Sequence, residues 1–274
     1  MNWLGAPFGS EVVVRGAVAG SVVALMCAIV GTWVVLRGSV FLGDAMSHGM
    51  LPGVAAASAL GGNLLVGALI AALAMAYGVA ALSRSVRFSS DTSIGLLLVG
   101  MLAVGVIVVS HSSSYAVDLT AFLFGDVLGV RSGDIAVLAA ALAVIAAVAF
   151  AGRRAFVAAT FDIRKAATLG LNPRAAGIAL TVLIAVAIVA SFHVVGTLLV
   201  LGLLVAPPAA ATLWAHSIGR IMALAAALGV ASVWIGLLVS WHAATAGGAT
   251  IATVAVALFF CSAVASVAVR RVAA

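Results

Sequence analysis

The sequence predicts an all-α membrane protein, a single bundle of about nine transmembrane helices. Of its 274 residues 66% are hydrophobic and only 7% are charged, whereas a soluble domain carries about a quarter charged residues. The mean hydropathy is +1.36. The apolar residues form long unbroken runs instead of the alternating pattern of a membrane β-barrel. This composition excludes a soluble enzyme, a disordered region and a nucleic-acid-binding protein.

The predicted spans are the runs that lie between ionisable residues. Most have about 20 residues, the length that a helix needs to cross roughly 30 Å of hydrocarbon. The charge-free stretch 49–83 is too long for one crossing, and Gly61-Gly62-Asn63 predicts a turn within it. The spans are then 14–36, 45–60, 63–82, 93–110, 134–151, 175–191, 195–213, 220–240 and 250–269.

One segment, 112–133, fits no complete span. It holds Asp118, Asp126 and Arg131 around a short apolar stretch. A re-entrant or outer-face helix is predicted here, and a total of eight or ten spans stays open.

The basic residues predict the orientation. With the N-terminus outside and the C-terminus in the cytoplasm, eleven of the thirteen Lys and Arg residues lie on the cytoplasmic side, and only Arg15 and Arg131 lie outside. This asymmetry follows the positive-inside rule. The net charge of +6 therefore reflects the orientation of a protein in the cell (inner) membrane. We expect no nucleic-acid partner.

Asp44 and His48 are the strongest candidates for an ion site. Their i, i+4 spacing puts a carboxylate oxygen and an imidazole nitrogen on one helix face. Such a pair suits a borderline divalent cation such as Zn²⁺ or Mn²⁺. Two ligands are too few for a complete shell, and the alternative is that Asp44 caps the helix while His48 is hydrogen-bonded within the bundle.

Other polar and irregular positions give weaker signals. Pro207-Pro208 in the seventh span is predicted to kink or break that helix, and broken helices in transporters usually line a cavity. Ser47, within the Asp44–His48 motif, is a weaker candidate for contact with a cation. Four residues on the outer side are also weaker candidates, and for each of them a solvated loop position is the default interpretation: Asp118, Asp126, His193 and His242.

The loop 152–174 is the one substantial cytoplasmic loop. It holds five of the thirteen basic residues, and its centre, 161–171, is amphipathic. Gly170 and Asn172-Pro173 are expected to end that helix. It is either a surface helix on lipid headgroups or a docking helix for a soluble partner. No GxxxxGK[ST] motif occurs, so this chain is not expected to bind ATP through a P-loop.

Several motifs together resemble a known family. They are Gly43-Asp44 with Ser47-His48, Leu123-Phe124-Gly125-Asp126, and Val195–Val200 leading to Leu203–Pro207. The sequence is similar, nearly end to end, to the membrane permeases of ABC-type importers of divalent zinc, manganese or iron. The chain departs from that family near the last outer loop, at 241–248, where the family usually has an acidic residue and a Pro-Ser-Gly-like turn.

The resemblance implies a single permease domain, 1–274, that works as a homodimer with cytoplasmic ATP-binding subunits and an extracytoplasmic metal-binding protein. It implies no permanently bound cofactor, with Zn²⁺ or Mn²⁺ as the transported ion and Asp44 and His48 on its route. It further implies that the loop 152–174 couples to the ATPase through four residues: Asp162, Ala166, Gly170 and Leu171. The alternatives are an ion-coupled secondary transporter without an ATPase and a structural membrane scaffold.

Overall fold

The computed structural model describes residues 9–85, 89–110, 125, 127, 129–161 and 172–273. All regular elements in these ranges are helices, which confirms the all-α prediction. In chain order they are α1 Glu11–Leu36, α2 Val40–Gly49, α3 Leu51–Ala59, α4 Leu64–Ser85, α5 Ser90–Ser110, α6 Ser132–Ala151, α7 Arg153–Phe161, α8 Pro173–Thr212, α9 Ile218–Ala243 and α10 Gly247–Ala273.

Eight spans in the described ranges are long and apolar enough to cross a membrane, and α8 contains two of them. They correspond to eight of the nine predicted spans, and the chain is an integral protein of the inner membrane. The predicted span 45–60 is wrong as a single helix, because it is divided at Met50 between α2 and α3. Pro52 explains the division, since it has no N–H to donate to the carbonyl of His48.

The pair α2–α3 nevertheless runs along the bundle as one unit. Gly49 lies against Met75 and Gly53 lies against Gly67, so residue numbers rise along α2–α3 while they fall along α4. The two short helices together therefore run antiparallel to α4. The predicted turn at 61–63 is confirmed, because Gly61 has a φ of +65° between α3 and α4, a value that glycine adopts without a steric penalty.

The long helix α8 consists of two antiparallel halves, Arg174–Phe192 and Val194–Thr212. The helical geometry is broken at Gly196, with φ 73° and ψ 163°. The first half begins beside Arg37 at the end of α1, where the Arg37 Nη2 approaches Gly177. The second half runs parallel to α1, because the Cys27 thiol faces the Val200 carbonyl and Gly31 packs on Leu204.

Helix α1 forms the centre of the bundle and packs on α6, α8 and α9. Small residues let the helix backbones approach closely: Gly20 faces Val233 of α9, and Gly229 of α9 faces Ala24. Few residues of helices α5, α6 and α10 are buried in the single chain, as expected for helices that contact lipid or a partner.

The end of the bundle at Arg37 also holds α7 and the start of α8. Phe156 of α7 packs edge-to-face on Trp33 of α1, with ring centroids 5.8 Å apart and an interplanar angle of 74°. Both side chains are buried. The two helices on either side of residues 162–171 are therefore anchored directly on the core. The assignment of this end to the cytoplasm stays a prediction from the basic residues.

Asn172 begins the helix that follows it. Its side-chain oxygen accepts hydrogen bonds from the backbone N–H groups of Arg174 and Ala175, each at 3.1 Å. It is thus the N-cap of α8, with Pro173 in the first turn, a combination typical of helix starts. The expected end of the preceding helix at Gly170 and Asn172-Pro173 stays a prediction, because residues 162–171 lie outside the described ranges.

Candidate metal site

Asp44 and His48 lie on the same face of α2. The Nε2 of His48 is 3.7 Å from the Oδ1 of Asp44, and the two side chains are 29% and 40% exposed, respectively. This separation is longer than a hydrogen bond, so both groups keep lone pairs for another partner. The N-cap of α2 is Ser39, and Asp44 lies inside the helix. The alternative role of Asp44 as a cap is therefore wrong.

The opposite face of α2 is packed into the bundle. Met46 and Ser47 are fully buried, and the Ser47 hydroxyl donates to the Gly43 carbonyl at 3.0 Å. Ser47 thus satisfies its hydroxyl within its own helix, on the buried side. The burial of this side leaves the Asp44–His48 side of the helix facing outward.

An aromatic residue continues the outward face of α2. Phe41 is 68% exposed and precedes Asp44 by three residues, so the two share a helix face. An ionisable pair on an uncovered helix is costly in hydrocarbon, and such groups normally face a partner or an aqueous path. The face formed by Phe41, Asp44 and His48, called here the α2 face, therefore needs a cover that one chain does not supply within its described residues.

The double proline lies behind α2. Pro208 has no N–H to donate to the Leu204 carbonyl, and this carbonyl lies against Gly31 of α1, so closely that a Cβ at Gly31 would overlap it. The Cδ2 of Leu204 lies 3.1 Å from the position that a Cβ of Gly43 would occupy. The freed carbonyl is thus packed against α1, directly beside the helix that carries Asp44.

Of the kink or break predicted at Pro207-Pro208, the break is wrong, because α8 keeps helical geometry there and departs from it at Gly196. A glycine of α1 accommodates the prolines: Gly31 lies against the freed carbonyl, and the Pro208 ring lies 3.0 Å from the Cβ position of Gly31. On the other side of α8, Val205 and Ala209 line an apolar groove shared with α10.

The other predicted site residues do not join Asp44 and His48 in the described structure. His242 is exposed at the end of α9, where its Nδ1 lies 2.8 Å from the Leu238 carbonyl. The backbone of His193 is described but not its side chain. Six residues lie outside the described ranges: Asp118, Asp126, Asp162, Ala166, Gly170 and Leu171. Among described residues no group of three or more His, Cys, Asp or Glu could hold a metal ion.

Gly125 and Gly196 meet at the end of the bundle opposite Arg37. Gly125, with φ +64°, lies against the backbone of Val195 and Gly196. A side chain at Gly125 would overlap that backbone. Gly125 of one motif therefore meets Val195 and Gly196 of the other in space. The signal that could have revealed this is the pair of glycines in otherwise apolar segments.

The chain matches the ABC 3 transport family over residues 9–266. It belongs to that family. This ABC 3 family member is 34% identical over 247 residues to the manganese transport system membrane protein MntC of Listeria innocua, a match that covers 90% of this chain and 88% of the relative. It is 32% identical over 254 residues to the chelated iron transport system membrane protein YfeD of Yersinia pestis, covering 93% and 85% of the two chains.

A solved structure shares the fold of this ABC 3 family member. PsaBC from Streptococcus pneumoniae in complex with Fab superimposes with a TM-score of 0.85 and 28% sequence identity, covering 95% of this chain and 94% of that chain. The likeness extends over the whole bundle, so the arrangement of helices around α1 is that of the family.

Proposed function

We propose that this chain is the permease subunit of an ATP-driven importer of a divalent transition metal, with manganese as the best supported cargo. The observation that carries the proposal is the Asp44–His48 pair on the uncovered α2 face of a chain that belongs to the ABC 3 transport family. The names of MntC and YfeD, manganese and iron transport proteins, support a transition metal. Zinc accepts the same donor types.

The ligand count favours a homodimer. One chain offers one carboxylate and one imidazole, which is fewer than a transition metal usually takes. If the α2 faces of two copies met, the ion would have two carboxylates and two imidazoles. The same contact would remove two costly ionisable pairs from the lipid. Dimerisation along α2 would thus complete the ion site and cover this face at once.

The chemistry of the pair suits passage better than permanent storage. A carboxylate offsets the cost of a divalent cation in a low dielectric, and the neutral imidazole adds a donor without more charge. Conduction requires binding that is favourable enough for entry and weak enough for release. Asp44 and His48, 3.7 Å apart and partly exposed, are not committed to buried structural bonds.

The energy for transport would come from a partner ATPase through the loop 152–174. Asp162, Ala166, Gly170 and Leu171 are the proposed contacts. In the sequence these four residues fall between α7, which is anchored on Trp33 through Phe156, and α8, whose second half packs on Gly43 through Leu204. A force applied to the loop would therefore reach both α1 and α8, the two helices behind the ion site. An extracytoplasmic metal-binding protein would deliver the ion on the other side.

Reconstitution tests the proposal against its alternative. The chain is placed in proteoliposomes with its ATP-binding subunit and binding protein, and uptake of Mn²⁺, Zn²⁺ and Fe²⁺ is measured with and without ATP. We expect uptake that requires ATP hydrolysis, with Mn²⁺ preferred. Uptake that proceeds without the ATPase and follows a proton or sodium gradient would contradict the proposal and support a secondary transporter.

A further inference from the structure

A cavity at the Arg37 end of the bundle has no role in the proposed transport function. It has a volume of about 450 Å³ and lies between the end of α1, the last turns of α4 and the first turns of α8. Its polar end is formed by Arg37 and Arg174. Its apolar wall contains Leu73, Ala76, Ala80, Ile178 and Val182, with Tyr77 beside it.

The polar end of this cavity carries positive charge without a described counter-charge. Among the described residues no carboxylate lines the cavity, and the ion pairs that these residues form involve neither Arg37 nor Arg174. Burial lowers the pKa of the Arg37 guanidinium, which reflects partial loss of water around a group that stays charged. Two guanidinium groups in one concave site match an anion with several oxygens.

The apolar wall distinguishes between possible anions. From Arg174 to Val182 the wall extends along α8 by about 12 Å, at 1.5 Å per residue, into the predicted span. Thr181 offers it no free hydroxyl donor, because its Oγ1 donates to the Gly177 carbonyl at 3.0 Å. An inorganic phosphate or a soluble protein would leave this wall unused, whereas a lipid has both an anionic head and an apolar chain.

We propose that this cavity binds one anionic phospholipid of the phosphatidylglycerol class. The phosphate lies between the guanidinium groups of Arg37 and Arg174, and an acyl chain lies along Leu73, Ile178 and Val182. Such a lipid connects α1, α4 and α8 immediately beside the loop 152–174. It would therefore hold together the anchors of that loop, and the rate of transport would depend on anionic lipid.

Native mass spectrometry of the purified full-length chain tests the site. Phosphatidylglycerol and phosphatidylcholine are titrated into the wild type, into R37Q/R174Q and into the control R220Q/R270Q, which removes two exposed basic residues from the same end. We expect the affinity of R37Q/R174Q for phosphatidylglycerol to fall by about tenfold or by a larger factor, because charge-assisted hydrogen bonds are lost. The control should stay within about twofold of the wild type.

Further measurements keep the test decisive. If R37Q/R174Q does not fold, the single variant R174Q, at an exposed residue, is expected to show the same direction of change. Equal weakening in the control, equal binding of phosphatidylcholine, or displacement of the lipid by millimolar inorganic phosphate would overturn the proposal. So would loss of ATP-binding-subunit assembly with unchanged phosphatidylglycerol affinity, because the arginines would then serve a protein contact.

Discussion

The contact between Gly31 and the Leu204 carbonyl makes a sharp prediction for Gly31→Ala. A Cβ at this position would overlap the Leu204 oxygen and lie 3.0 Å from both the Leu204 carbonyl carbon and the Pro208 Cγ. The nearest atom belongs to the main chain, so it cannot rotate away as a side chain could. Helices α1 and α8 must therefore move apart at this contact.

The expected loss follows from two opposing effects. Overpacking costs about 1–3 kcal/mol, while replacing a helical glycine by alanine gains about 0.5–1 kcal/mol. Because main-chain atoms receive the contact, the upper part of the first range applies, and the free energy of unfolding should fall by about 1–2 kcal/mol. For a chain of this size that lowers the melting midpoint by about 2–8 °C.

Thermal melting of the purified protein in detergent, followed by tryptophan fluorescence, measures this shift. The matched control is Gly100→Ala in α5, where nothing lies within 4 Å of the added Cβ. It should melt at or slightly above the wild-type temperature. If Gly31→Ala melts like Gly100→Ala, the close packing of α1 on the double-proline segment is refuted.

Two further predictions concern α7 and α8, the helices on either side of residues 162–171. Phe156→Ala removes a buried ring that packs on Trp33 and should lower the free energy of unfolding by about 3–5 kcal/mol. The same assay should show a large drop of the melting midpoint. An unchanged midpoint would show that α7 is not anchored on Trp33. Asn172→Ala removes the cap of α8 and should lower the free energy of unfolding by about 1 kcal/mol. Asn172→Asp, which can still cap the helix, should melt like the wild type. An equal fall of the melting midpoint in both variants would contradict the capping role.

Much of the fold could be predicted because the hydrocarbon core imposes a single length on every span. The eight spans found in the described structure follow from charge-free runs of that length. The turn at Gly61 was predictable because consecutive glycines stand inside a run too long for one helix. These signals are local, so composition and spacing are enough to find them.

The places where prediction failed depend on partners distant in sequence. Pro52 divides α2 from α3, whereas Pro207 and Pro208 leave α8 helical. The difference at Pro208 arises from Gly31, which lies far away in the sequence and accommodates the freed carbonyl. The reversal between the predicted spans 175–191 and 195–213 was found, but its packing against Gly125 could not be predicted from local sequence. Proline and glycine give the possibility of a break, and tertiary packing decides where it occurs.

The candidate site was predictable in part for a similar reason. The spacing of Asp44 and His48 fixes their shared face within one helix, and helical periodicity alone gives that result. Their outward orientation depends on what the rest of the bundle buries, here Met46 and Ser47. Periodicity places residues together on a helix, but only packing shows which side of that helix remains exposed.

ATP-dependent Mn²⁺ uptake by His48→Ala tests the central claim most directly. The variant is reconstituted with the ATP-binding subunit and the binding protein, beside His216→Ala, which alters an exposed histidine between α8 and α9. The account predicts that His48→Ala assembles with the ATP-binding subunit but loses uptake, while His216→Ala transports like the wild type. Wild-type uptake by an assembled His48→Ala complex would contradict the assignment of the ion route to the α2 face.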